Sequence, residues 1–373
     1  MTHLVIHYSE IGVKGKNRKS FEELLATNIR RQIGLSVKRR YGKLICKAEE
    51  AEPEILKEKL SCIAGIAYFA FAELTELNIN KIKNKALDIA SKKQFNNFRV
   101  VASRSNKRFP LNSLEINREV GGYLAEKLGK EVKLKGAELK IYIEIGEKEA
   151  VIYSEKFPGI GGLPVGSSSK VVCSLSGGLD SPVAGFMMMK RGCPVVFTHF
   201  YHKPFNKIKV LVKKLARFQP TTKLYAVPFN EIQKAIIISS PAKYRMIVYR
   251  RFMMRLLNKI AEKEKAKAIV TGDSVAQVAS QTLENLEVIY IASDRIVLTP
   301  LIGLNKQEII ELAKRIDSYK VSIQPYADCC SYLVAEHPAT KTNINTILDI
   351  EAKITGKDKL IERALKDSNL VKL

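Results

Sequence analysis

The sequence predicts an α/β protein in which an α+β front half precedes a doubly wound parallel sheet, and three observations predict it. From Val171 onward, short apolar runs alternate with helical patterns, the order that a parallel sheet with crossover helices requires. Before that point, strands and amphipathic helices mix without such alternation. Between the two lies Pro158-Gly159-Ile160-Gly161-Gly162-Leu163-Pro164-Val165-Gly166-Ser167-Ser168-Ser169, whose Gly, Pro and Ser content reads as a linker. At 373 residues the chain is long enough for two or three separate cores.

In the front half, Leu4–Tyr8 reads as a short strand, and Ile11–Arg18 as a basic, glycine-punctuated loop. Ser20 is the expected N-cap of a helix whose first turn carries Glu22 and Glu23. Phe21, Leu24, Leu25, Ile29 and Ile33 give that helix one apolar face. Val37 to Lys47 alternates as a strand. An amphipathic helix over Pro53–Cys62, a strand over Tyr68–Leu74 and a helix over Ile79–Ala90 come next. The strand Phe98–Ala102 runs into Arg104-Ser105-Asn106-Lys107-Arg108-Phe109-Pro110, then a helix from Ser113 to Lys127. Leu139–Ile145 and Val151–Ser154 pair as a hairpin. No cluster suited to catalysis occurs here, so this half reads as a binding module.

Behind the linker, Val171–Leu175, Val195–Phe200, Leu224–Val227, Ala268–Thr271 and Ile296–Leu298 read as strands. Helices are expected over Lys207–Arg217, about Pro241–Lys263, and Lys306–Lys314. In such sheets ligands sit beyond the carboxyl ends of the strands. That rule brings Ser176–Asp180, His199-Phe200 and Thr271-Gly272-Asp273 to one edge. The first of these is a Ser-Gly-Gly turn followed at once by a helix carrying Pro182. Two glycines between strand and helix let backbone N–H groups point into one cavity, next to the positive end of the helix. The turn suits phosphate, although no Gly-Lys-Ser/Thr of a Walker loop follows. Asp180 would repel a phosphate unless a magnesium ion lay between them. The alternative is an ordinary strand-to-helix turn with a capping Asp or Ser.

Composition narrows the function. Hydrophobic content of 46% and charged content of 27% are those of a globular protein. No apolar run approaches the roughly 18 residues of a membrane span, and the N-terminus carries no signal-peptide pattern. The six cysteines are scattered without a Cys-x-x-Cys pair, which argues for reduced thiols in the cytoplasm and against a simple zinc site. Cys46, Cys62, Cys173 and Cys193 read as small buried hydrophobes. Cys329-Cys330 differs, because it sits in a polar, turn-like segment. The net charge is +24, and it is concentrated. Residues 201–260 hold 14 Lys and Arg against Glu231 alone, and residues 13–47 hold 11 against Glu22 and Glu23. Two separated basic regions point to a polyanion longer than a nucleotide, namely nucleic acid.

Ser176-Gly177-Gly178-Leu179-Asp180-Ser181 resembles, at all six positions, the SGGxDS loop of PP-loop ATP pyrophosphatases. The rest of the chain resembles the tRNA 4-thiouridine synthetases. Glu10–Arg18 is similar to that family's N-terminal ferredoxin-like signature, and residues from about 54 to 157 look like a THUMP domain. The organisation implied is 1–53 ferredoxin-like, 54–157 THUMP, 158–166 linker and 167–373 PP-loop domain. Thr271–Thr282 is close to the family's TGxxxxQVxSQT stretch, and Pro300–Lys306 resembles its PLI...K segment.

The resemblance implies ATP and Mg2+ as cofactors, tRNA as substrate, and thiolation of uridine 8 through an adenylated uridine. Ser174, Leu175, Ser176, Gly177, Gly178, Asp180, Ser181, His199, Phe200, Arg250, Gly272 and Gln281 would bind ATP. Asp180 would hold the metal, Lys306 would polarise substrate or phosphate, and Cys329 or Cys330, preferably Cys329, would handle sulfur. Lys14, Lys16, Arg18, Arg104, Lys107 and Arg108 would meet RNA phosphates. His199 as a neutral core histidine and Arg250 as an RNA contact stay open. Some family members continue into a rhodanese domain, for which this chain leaves no room. The expected donor is therefore a separate cysteine desulfurase persulfide or free sulfide. A homodimer and a further role in thiamine synthesis are compatible with the resemblance. The rivals are an amidating or lysidine-forming PP-loop ligase, and a non-catalytic RNA-binding protein with a degenerate nucleotide site.

Overall fold

The computed structural model describes residues 3–48, 52–202, 204–326 and 335–373. The chain divides into two compact units, Met1–Leu163 and Pro164–Leu373. The front unit begins with β1 (His3–Tyr8), α1 (Arg18–Ile33), β2 (Lys38–Arg40), β3 (Lys43–Lys47) and α2 (Pro53–Leu60). It continues with β4 (Ile66–Thr75), α3 (Ile79–Ala90), β5 (Asn97–Arg104), α4 (Ser113–Leu128), β6 (Glu131–Val132), β7 (Leu139–Ile145), β8 (Ala150–Tyr153) and β9 (Phe157–Pro158). Its described strands form one sheet, ordered β2-β3-β1-β4-β8-β7-β5-β6, with β9 on β4.

β4 ties this sheet together. Residues 66–72 pair with β1, and residues 73–75 pair with β8. One core gathers Leu4 and Ile6 of β1, Leu25 and Ile29 of α1, and Leu56 and Leu60 of α2. The helix at 53–60 therefore packs with the first core, whereas its position in sequence grouped it with the THUMP-like stretch behind it. A second core sets Ile82 and Ala86 of α3 and Ile116, Val120 and Leu124 of α4 against Phe98, Ile141 and Ile143. Asn112 and Glu115 form a reciprocal capping box that starts α4.

Three local expectations change. Helix α1 starts at Arg18, with Asn17 before it, so Ser20 lies in the first turn and its hydroxyl donates to the Asn17 carbonyl. Short 3-10 turns at 10–13 and 15–17 wind the chain early and move the start upstream. The Val37–Lys47 stretch is a hairpin, β2 against β3, broken at Tyr41-Gly42. The start of the Gly-rich stretch is not free chain. Gly159 N donates to Ala67 O at 2.9 Å and Gly161 N to Ile66 O at 2.8 Å. A Cβ on Gly159 would lie 2.2 Å from Ile66 O, so this approach to β4 needs glycine.

The second unit comprises β10 (Val171–Ser174), α5 (Asp180–Lys190), β11 (Val195–Tyr201), α6 (Asn206–Leu215), β12 (Lys223–Pro228), α7 (Asn230–Ser239), α8 (Arg245–Lys263), β13 (Ala268–Val270), α9 (Leu283–Tyr290) and β14 (Ile296–Leu298). After these come α10 (Lys306–Arg315), α11 (Tyr319–Ser322), α12 (Ile344–Ala352), α13 (Lys357–Lys366) and β15 (Asn369–Lys372). The strand order is β14-β13-β10-β11-β12-β15. The first five strands in sequence are parallel, but β15 runs antiparallel along β12, so the sheet is parallel except at one edge. One face carries α7, α8, α9, α12 and α13 around a core that includes Val172, Val196, Val227, Phe252 and Ile269. On the other, Gly185 of α5 lies against Phe197, and α5 packs with α6 and α10. From β10 the chain moves outward through β11 and β12, then returns to place β13 on β10's other side. The crevice between β10 and β13 is thus the switch point, where open α/β sheets bind ligands.

Candidate functional site

The turn after β10 is closed by its own serines. Ser176 N donates to Ser181 Oγ at 2.8 Å, and the two hydroxyls lie 3.0 Å apart. Helix α5 starts at Asp180 with no side-chain cap, so neither Asp180 nor Ser181 plays the capping part left open by the sequence. Asp180 instead faces two groups from distant segments. Lys306 Nζ donates to its Oδ1 at 2.8 Å, and Gln277 Nε2 to its Oδ2 at 3.1 Å. Lys306 is the first residue of α10, and its place is set by an Asn305/Glu308 capping box.

The loop after β13 seats directly on this turn. A Cβ on Gly272 would come within 2.7 Å of Ser181 N and 2.9 Å of the Asp180 carbonyl carbon. The neighbouring Asp273 is buried and receives Arg250 Nη2 at 2.5 Å and Gln281 Nε2 at 3.0 Å. Arg250 also donates to the Ser280 carbonyl at 3.1 Å. The structure thus brings Ser176–Ser181, Gly272, Arg250, Gln281 and Lys306 to one edge.

His199 ends buried, as the core reading allowed, but with both ring nitrogens in contact at the same edge. Nδ1 lies 2.8 Å from Leu175 O and Nε2 lies 3.0 Å from the Tyr326 hydroxyl. The carbonyl can only accept, so Nδ1 donates to it and Nε2 is left facing the Tyr326 hydroxyl. The Tyr326 ring also covers the turn, since a Cβ on Gly177 would lie 2.6 Å from its Cδ1. Phe200 packs on Phe229 in the core, so its side chain faces away from the site.

Sequence reasoning assigned no role to Gln277 or Tyr326, and it placed Asp273 at this edge by its strand end without giving it one. Gln277 had a signal, as the Gln of the quoted stretch, whereas the roles of Asp273 and Tyr326 emerge only from their contacts. Cys46, Cys62, Cys173 and Cys193 are buried. Burial pushes the thiols of Cys46 and Cys173 up to about 12, which makes them poor sulfur carriers. Cys329 and Cys330 lie outside the described residues. Among the described residues, no group of three or more His, Cys, Asp or Glu is arranged as a metal cage, and no helix is long and apolar enough to cross a membrane.

The front unit holds a cleft of about 590 Å³. Lys16, Arg18, Lys19, Arg39, Arg40, Lys43 and Lys148 line it, with Glu22, Glu147 and Glu149 as the counter-charges. Buried Glu22 fixes two of these cations, accepting Arg18 Nε at 2.8 Å and Arg39 Nε at 3.0 Å. Arg40 is held by Glu149 at 3.0 Å. The Arg18 guanidinium lies 5.5 Å from the Tyr8 ring and 5.1 Å from the Tyr41 ring. Of the cations expected to meet RNA, Lys16 and Arg18 line this cleft, and Lys14 lies over Phe21 at 5.3 Å. Lys107 and Arg108 are exposed elsewhere. Arg104 is turned inward, its Nη1 donating to the carbonyls of Phe109 at 2.9 Å and Leu111 at 3.1 Å, so it staples its loop.

Fold and site together define a protein with a PP-loop α/β domain behind a ferredoxin-like and THUMP front unit. A family model described as "Thiamine biosynthesis protein (ThiI)" matches residues 166–355. A THUMP domain model matches residues 76–155, and a ThiI ferredoxin-like domain model matches residues 3–70. A Thermus thermophilus protein named "Probable tRNA sulfurtransferase" is 40% identical over 380 residues, covering 99% of this chain and 93% of that protein. A protein of the same name from Moorella thermoacetica is 40% identical over 351 residues, covering 91% and 90%. The crystal structure of a 4-thiouridine synthetase–RNA complex with bound ATP matches with a TM-score of 0.91 at 34% identity over 100% of both chains. The chain belongs to the tRNA sulfurtransferase family.

Proposed function

We propose that the chain replaces the O4 oxygen of uridine 8 in tRNA with sulfur, consuming ATP and releasing AMP and pyrophosphate. Oxide is a poor leaving group, and adenylation of O4 converts it to AMP before sulfur attacks C4. The observation that carries this reading is Lys306 meeting Asp180 at 2.8 Å beside the Ser176–Ser181 turn. A cation and a carboxylate from separate segments thereby converge where a triphosphate would rest on backbone N–H groups and the start of α5. The solved relative with bound RNA and ATP supports both substrates.

The donor set fits Mg2+. Asp180 is partly exposed and is a single carboxylate, and Mg2+ commonly takes one or two carboxylates together with substrate phosphates and water. Asp180 would hold the ion, whose chemistry is to neutralise charge on the phosphates. Lys306 would bind the transferring phosphate or the uridine oxygen, and Gln277 would orient Asp180. The basic cleft of the front unit would hold RNA phosphates, with Arg18, Arg39 and Arg40 pre-aimed by their glutamates. Cys329 or Cys330 would take the outer sulfur of a separate persulfide donor, releasing the donor's thiol, in the cytoplasm where tRNA is found. The new persulfide would displace AMP from C4, and a further thiol would then cleave the S–S bond, leaving 4-thiouridine and a disulfide.

The test is thionucleoside analysis of an unmodified tRNA transcript incubated with the chain, ATP, Mg2+ and sulfide. 4-Thiouridine should form, and it should disappear with a transcript carrying cytidine at position 8 or with Asp180→Ala. Product formed without ATP, or at wild-type rate by Asp180→Ala, would remove the reading.

A further inference from the structure

Asp273 is the most heavily bonded carboxylate at the sheet edge, and the family resemblance gave it no part. It is 5% exposed. Its Oδ2 accepts from Arg250 Nη2 at 2.5 Å, Tyr290 Oη at 2.6 Å and Thr271 Oγ1 at 2.7 Å, while its Oδ1 accepts from Gln281 Nε2 at 3.0 Å. A buried carboxylate with this many donors is locked in one rotamer, because releasing any donor would leave a polar group unsatisfied in a dry site. Burial pushes its pKa up, but the Arg250 charge and the three other donors more than reverse this and hold it below its ordinary value, so it is an anion.

The arrangement is directional. Thr271 and Tyr290 come from its own strand end and from α9, and they fix how the carboxylate is turned. Arg250 comes from α8 and Gln281 from the 3-10 turn before α9, and both donate to this one carboxylate, Arg250 also to the Ser280 carbonyl at 3.1 Å. One anion therefore sets the aim of two side chains that approach from different elements.

We propose that Asp273 is a positioning residue for ATP, holding Arg250 and Gln281 in the geometry that receives the nucleotide. This rests on the reading of Arg250 and Gln281 as ATP contacts. A charge-assisted hydrogen bond contributes about 1.5–3 kcal/mol, so releasing Arg250 corresponds to roughly a ten- to hundredfold loss of ATP affinity.

The experiment measures ATP dissociation constants, and KM and kcat of thiolation, in the full chain. Asp273→Asn should raise the ATP constant and KM about tenfold or more, with tRNA affinity unchanged. Its effect should vanish when combined with Arg250→Gln, as expected of one coupled unit. Tyr225→Phe removes a comparable bond, Tyr225 Oη to Glu264 Oε1 at 2.8 Å, away from the site. It should lower the melting temperature similarly and leave the ATP KM alone. A wild-type ATP KM in folded Asp273→Asn, or effects that simply multiply with those of Arg250→Gln, would overturn the positioning role. Silence of both Arg250→Gln and Asp273→Asn would overturn the ATP-contact reading and the positioning role with it. Should Asp273→Asn not fold, Asp273→Glu displaces the anchored pair by one methylene. It should raise the ATP KM at unchanged kcat, and a wild-type KM there also overturns the proposal.

Discussion

Gly272→Ala tests the site by steric displacement alone. The added Cβ would stand 2.7 Å from Ser181 N, 2.9 Å from the Asp180 carbonyl carbon and 3.0 Å from Ser181 Cα. All three are backbone atoms at the start of α5, so no flexible side chain can yield. Restoring ordinary contact of about 3.4 Å requires the β13 loop and the turn to separate by roughly 0.7 Å, and overpacking of this kind costs about 1–3 kcal/mol. The same shift moves Asp180 away from Lys306 and Gln277. Misplacement of about 1 Å at a reacting centre can lower rates about a hundredfold. Thiolation kcat/KM for ATP should therefore fall by about 10–100-fold, while the variant still folds and binds tRNA. Gly303→Ala is the control, because its Cβ would meet nothing within 4 Å. Wild-type kcat/KM and melting temperature in Gly272→Ala would refute the claim that the two loops are in contact.

Three further outcomes are expected. Changing Cys329 and Cys330 together to Ser should abolish thiolation from a persulfide donor and leave pyrophosphate release intact, and normal persulfide-driven yield would eliminate the sulfur-transfer role. Affinity for tRNA should drop about 10³-fold between 50 and 200 mM salt, and Lys16→Ala should reduce the log–log slope by about one, whereas a flat salt response would refute phosphate contacts. Finally, acid should weaken both units. Burial alone would raise the carboxyls of Glu144 and Glu264. His7 and Lys43 around Glu144, and Lys223, Lys170 and Tyr225 around Glu264, more than reverse this and hold each at about 2. Because these folded-state values lie below the ordinary 4.5, the stability they contribute is present above pH 4.5 and is lost as pH falls toward about 2. A melting temperature that rises between pH 5 and pH 3 would contradict this.

The Ser176–Ser181 turn was legible because its residues are contiguous, six positions between an apolar strand and a helix. The parallel strands were legible from their bounded apolar runs, and α3 emerged with its ends as expected because Asn78 caps it and one face is apolar. Side-chain convergence was not legible. Glu22 looked like a first-turn acid favouring the helix start, yet it is the buried anchor of Arg18 and Arg39. Asp273 was placed at the edge by its strand end, but its role was not legible, since its donors sit at 250, 271, 281 and 290 and meet only once β13 lies beside β10. The antiparallel β15 was missed because Asn369-Leu370-Val371-Lys372 is too short to suggest a strand before its partner is known.

The switch-point topology has a consequence for how the protein is made. Asp180 meets Gln277 and Lys306 across 97 and 126 positions of sequence. At roughly 5–20 residues per second, a ribosome delivers Lys306 about 6–25 s after the turn it completes. Closing such long loops is entropically slow, so these contacts belong to the last stage of folding. The front unit, whose described strands are in place by residue 158, can fold within that interval. A nascent chain can therefore complete its front unit before Lys306 has reached Asp180, so the order of synthesis separates the two units in time.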